Sequence, residues 1–154
     1  MALAEEERAN EAARGALESR RELAYLAGRI FVGALFLLSA AAKTFRFDDT
    51  VEVLSDSGMY DAHRLLPLAI AVEVIGALCL AAGYRVRRVA VGLLVYLAGV
   101  TFLVSFDLSN SVNANSALSN LGFMGALLML AAHGAGKASV DGAIERRNAL
   151  RYGA

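Results

Sequence analysis

A chain of 154 residues with 15 basic and 15 acidic side chains has no net formal charge, yet 57% of it is apolar and its mean hydropathy is +0.50. Disorder is excluded by that apolar fraction, a disulfide scaffold by the single Cys79, and a basic nucleic-acid-binding surface by the balanced charge. A lipid bilayer is the solvent this composition suits.

Residues 1–22 hold six Glu and four Arg and no apolar run, so they read as a charged, solvated leader helix rather than a cleaved signal. Pairs at i,i+3, Glu5/Arg8, Glu11/Arg14 and Glu18/Arg21, suit that helix. Residues 23–133 follow as the membrane domain. Four segments within it, 23–42, 65–83, 89–106 and 117–132, together contain only two charges, Arg29 and Glu73. A helix needs roughly 20 apolar residues to cross a hydrocarbon core of ~30 Å, and no period-2 alternation suggests barrel strands. The expected fold is therefore all-α: a bundle of four transmembrane helices, the last span being the shortest.

Between the first two spans, Asp49 and Glu52 resemble a helix N-cap and its acidic partner, and Gly58 is placed to end the turn. A short interfacial helix over 50–57 is expected, with Phe45, Phe47, Val51, Leu54, Met59 and Tyr60 toward lipid. The short connection Tyr84–Arg88 makes spans two and three antiparallel neighbours. After the last span Gly134-Ala135-Gly136 breaks the helix, and Ser139 or Asp141 can cap another. Residues 134–154 then form a basic tail whose Val140, Ala143, Ile144 and Leu150 make an apolar stripe, the pattern of a second interfacial helix. Eleven Lys and Arg fall on the side of the termini and three on the other, so both termini are expected in the cytoplasm.

Chemistry in such a chain starts from its buried ionisable groups. Glu73 lies eight residues from one end of its span and ten from the other, and a carboxylate at that depth requires a partner or a proton. Arg29, six residues into span one, would either reach Glu73 as an ion pair or extend to the head groups. Lys43 at the outer end of span one and Asn120 near the outer end of span four are further candidates. They would line a small polar cavity, or serve as an interfacial anchor and an interhelical hydrogen bond. Thr101 and Ser105 are expected to bond back to their own helix. Gly92 and Gly99 mark a face that packs inside the bundle or meets another membrane protein.

Other mechanisms lack residues. One cysteine gives no dithiol, and His63 and His133, assigned to opposite membrane faces, give no haem ligand pair. With Glu73 the only carboxylate inside a span there is no metal cluster, and the segment Gly134–Lys137 lacks the spacing of a phosphate loop. No intrinsic cofactor is expected.

Arg29-x3-Gly33-x2-Phe36-x2-Ser39-x3-Lys43, then Glu73-x2-Gly76 with Leu80, Gly83 and Arg87, then Asn120-Leu121 with Gly125, and finally Gly134-x-Gly136-x2-Ser139-x-Asp141 form an ordered set. Over roughly residues 25–141 it resembles the DoxX family of small bacterial and archaeal membrane proteins. Ala40, Met59-Tyr60, Ser119 and Ala135 depart from the residues common there. The resemblance implies a four-helix bundle in the cytoplasmic membrane of a prokaryote and an association with redox chemistry, including thiosulfate:quinone oxidoreductase subunits. Partners are then the bilayer and other subunits of a membrane redox complex, with no nucleic acid and with quinone as the possible cofactor. An accessory, non-catalytic subunit is the expected function. The alternatives are a quinone-binding, proton-handling protein using Glu73 and Arg29, and a small-solute or proton pathway.

Overall fold

A computed structural model describes residues 2–104 and 111–152, the side chains of residues 2–4, 104, 111–114, 116 and 152 excepted. All regular structure among them is helical: α1 (Ala2–Phe45), α2 (Phe47–Asp56), α3 (Ala62–Ala82), α4 (Val86–Val104), α5 (Ser111–His133) and α6 (Val140–Tyr152). Three of these, α1, α3 and α4, are long and apolar enough to cross a membrane, while the apolar part of α5, Ala117–His133, is shorter. The expected Ser105 contact and residues 107–110 of the loop before span four lie outside the described residues, while residues 111–116 of that loop are the first turns of α5.

Leader and first span are one uninterrupted helix of 44 residues, because nothing between Glu22 and Leu23 breaks helical geometry. The anticipated Glu18/Arg21 pair does not form: Glu18 pairs with Lys137 at 3.3 Å, and Arg21 Nε donates to the Tyr25 hydroxyl at 3.1 Å. The leader thus turns one acidic face onto the chain's own tail. In the loop between α1 and α3, α2 begins at Phe47, earlier than the Asp49 cap anticipates, with Arg46 at the N-cap and no side-chain cap bond. Gly58 does end it, in a left-handed conformation (φ 85°), with Met59 N–H donating to Leu54 O.

Helix α1 packs chiefly on α3 and α4 on α5, and the two pairs join along α3 and α4. Their inner faces repeat at the helical period: Arg29, Val32, Phe36 and Ala40 on α1; Leu66, Glu73, Ala77 and Leu80 on α3; Val86, Ala90, Leu93 and Leu97 on α4; Leu127 and Leu130 on α5. Phe36 and Phe123 bring the pairs together with ring centroids 5.9 Å apart. Close approach of α1 and α3 depends on Gly33, where a Cβ would lie 2.9 Å from Ala77 O. Outward, Phe31, Leu38, Val95, Phe102, Leu121 and Met129 remain exposed; such a belt is a liability in water and the normal surface in lipid. Gly92 and Gly99 lie on this outer surface, where an added Cβ would meet no heavy atom within 4 Å. Of the two faces anticipated for them, the packed interior is not the one adopted.

Candidate functional site

Two buried charges, Arg29 on α1 and Glu73 on α3, organise the bundle, and they lie against opposite ends of one stripe on α1. That stripe runs from Arg29 through Val32, Phe36 and Ala40 to Lys43. Since α1 and α3 run antiparallel, the Lys43 end meets Glu73, whereas the Arg29 end meets Gly83, about three turns further along α3.

Glu73 is 2% exposed and shares the inner face of α3 with Leu66, Gly76, Ala77 and Leu80. Its Oε1 accepts hydrogen bonds from Lys43 Nζ and, at 2.8 Å, from the Tyr96 hydroxyl. Lys43 Nζ also donates to Ser39 Oγ at 3.0 Å, one turn back on its own helix. One carboxylate oxygen therefore ties α1, α3 and α4 together. The other, Oε2, is buried with no hydrogen-bond partner within reach. Lys43 is one-quarter exposed, so its stem bends inward while part of it stays at the mouth of the bundle.

Of the two places the sequence leaves open for Arg29, the ion pair with Glu73 is not adopted, and Lys43 occupies that position. Tyr96 was missed, because an aromatic within an uncharged span reads as packing. Its one signal was register: it stands beside the inward Leu93 and Leu97, and a phenol facing inward needs a partner. Asn120 does make the expected interhelical bond, its Nδ2 donating to Thr101 Oγ1 at 2.8 Å, and Thr101 bonds back to Leu97 O at 2.7 Å. This contact joins α4 to α5 and has no direct bond to the Glu73 cluster.

Arg29, 1% exposed, belongs to a different construction. Its Nη2 donates to Ala138 O at 2.7 Å, leaving Nε and Nη1 buried without hydrogen bonds. Room for it comes from Gly83, which ends α3 at φ 74° and where a Cβ would fall 2.2 Å from Arg29 Nη1 and 2.6 Å from Ser139 Cβ. Both the left-handed conformation and the contact exclude a larger residue.

Around it, the closing motif acquires a structural meaning. Gly134 (φ 80°) and Gly136 (φ 72°) turn the chain after α5. Ser139 caps α6, its Oγ donating to Gly136 O at 2.6 Å and accepting from Gly142 N–H at 3.0 Å. Asp141 caps a different helix: Oδ1 accepts from Arg85 N–H at 2.8 Å and Oδ2 from Val86 N–H at 3.2 Å, satisfying the start of α4. Glu22 Oε2 accepts from Lys137 N–H at 2.6 Å and Ala138 N–H at 3.4 Å. Three segments distant in sequence, α1, the α3–α4 turn and the turn into α6, are thereby pinned at one end of the bundle.

The sequence model of the DoxX family matches residues 24–105, a region holding Arg29, Lys43, Glu73 and Tyr96 but not Asn120 or the closing motif. Inner membrane protein YqjF of Escherichia coli (strain K12) is 26% identical over 135 residues, which cover 85% of this chain and 99% of that protein. No solved structure matches the chain.

Proposed function

Because the chain belongs to the DoxX family, we propose that it is an accessory subunit of a membrane redox assembly, lodged in the cytoplasmic membrane of a prokaryote. It crosses as four spans, with α5 the last and both termini cytoplasmic; the Lys and Arg asymmetry supports that orientation, and the inner-membrane relative supports the location. The observation that carries the subunit reading is the Glu73 clasp. Its shared oxygen is held by Lys43 and Tyr96, one from each neighbouring helix, which is how a buried charge fixes helix register. The exposed apolar belt is available to lipid and to larger subunits.

A second reading is favoured by Glu73 Oε2, buried and unpaired. A quinone carbonyl needs a donor, and Lys43 Nζ, which spends two of its three N–H groups on Ser39 and Glu73, keeps one near the unpaired Oε2. A bound quinone would contribute two-electron, two-proton redox chemistry. Glu73 would hold or release the proton at Oε2, Lys43 would stabilise its ionised form, and Tyr96 would orient it.

The test is purification from the native membrane in mild detergent, with mass spectrometry of the co-purifying proteins and extracted quinones. Recovery with stoichiometric cofactor-bearing subunits is expected. Recovery alone, with bound quinone lost in Glu73→Gln, would replace the accessory reading with the second.

A further inference from the structure

At the end of the bundle opposite the Glu73 clasp, an open pocket of about 920 Å³ lies between the first turn of α4, the α5–α6 turn and α6. The geometry points to this pocket as a binding site for the phosphate of an anionic phospholipid head group.

Charge is the first ground. Arg85, Arg87, Arg88, Lys137 and Arg146 line the pocket. Two of its three acids are already engaged by backbone N–H groups, Glu22 by Lys137 and Ala138 and Asp141 by Arg85 and Val86. Arg87 and Arg88 pair with no carboxylate among the described residues. The guanidinium of Arg87 lies against Gly134, where a Cβ would be 3.0 Å from Nε, so a larger residue in that turn would crowd the fork. Arg146 is held in place by donating to Lys137 O at 3.0 Å. Planar forks aimed into one concavity fit the oxygens of a phosphodiester.

Height selects a lipid over a free anion. The uncharged run of α4 starts at Val89, directly after Arg88, and that of α5 stops at Ala132, directly before His133. The pocket therefore stands where hydrocarbon gives way to head groups, and Val91, Val95 and Met129, exposed on the same two helices, offer apolar surface to acyl chains. Basic pockets between spans at this level are suited to anionic lipids.

The full chain, purified in mild detergent, is titrated with phosphatidylglycerol, phosphatidylcholine or inorganic phosphate, and followed by native mass spectrometry and thermal unfolding. Phosphatidylglycerol should bind, raise the unfolding temperature and weaken with added salt, while phosphatidylcholine and inorganic phosphate should do neither. Removing two arginines, as Arg87→Gln with Arg88→Gln, should weaken binding roughly thirtyfold, at about fivefold per charge. Removing two from the solvated leader, as Arg8→Gln with Arg14→Gln, should leave it unchanged. Equal binding of phosphatidylcholine, equal losses in the two double variants, or stabilisation by inorganic phosphate alone would each overturn the proposal. Should the Arg87/Arg88 variant fail to fold, the lipid selectivity and salt dependence of the unaltered chain still decide it.

Discussion

Glu73 and Arg29 are the two charges placed inside apolar runs, and the protein stabilises them by different means. Glu73, well within α3, lies among helices whose backbone groups are already bonded to one another, so only side chains can serve it; Lys43 and Tyr96 do. Arg29, near the helix ends, reaches a free backbone carbonyl, Ala138 O, in the turn after α5. Mid-bundle charge is thus matched by a charge and a hydroxyl, whereas end-of-bundle charge is matched by chain that has left the helix. The first arrangement fixes how helices rotate against each other, and the second fixes how the tail closes over them.

Substitutions sharpen that contrast. The largest loss is expected for Lys43→Met, which strands a buried carboxylate, at about 3–5 kcal/mol. Thermal unfolding in detergent measures it. Gly83→Ala comes next, at about 1–3 kcal/mol for the left-handed conformation, with Arg29 and Ser139 displaced besides. Its signature is faster proteolysis of the tail beyond Gly134, which Lys43→Met should leave intact. Asp141→Ala removes the cap of α4 from across the chain and should cost about 1 kcal/mol, again at the tail end alone. Tyr96→Phe deletes one of the two donors to Glu73 for about 0.5–1.5 kcal/mol. Gly99→Ala, whose new methyl would touch nothing, should leave the isolated protein's stability unchanged to within about 0.5 kcal/mol; a large loss there would mean that the α4 surface is packed.

Much of this fold was legible because lipid demands long uncharged helices, and the runs beginning at Leu23, Leu65, Val89 and Ala117 announce α1, α3, α4 and α5. Gly58, Gly83 and Gly134 fall at the ends where left-handed residues are needed. Rotation was not legible. A run of apolar residues is nearly uniform around its axis, so Arg29 and Glu73 looked equally able to face each other. Lys43, at the margin of its run, reads equally as an interfacial anchor or as the rim of a polar cavity, and its four-carbon stem carries the charge back inside. Of the two caps offered for the helix after α5, Ser139 is the one used, while Asp141 caps α4, some 55 residues earlier; sequence adjacency cannot signal that.

The most direct measurement is a pair of double-mutant cycles on unfolding in detergent, Glu73→Gln with Lys43→Met and Glu73→Gln with Arg29→Met. Coupling above about 1 kcal/mol in the first and within about 0.5 kcal/mol of zero in the second is expected, as for residues in contact and residues apart. The reverse order, with Glu73 coupled to Arg29 and indifferent to Lys43, would contradict the clasp.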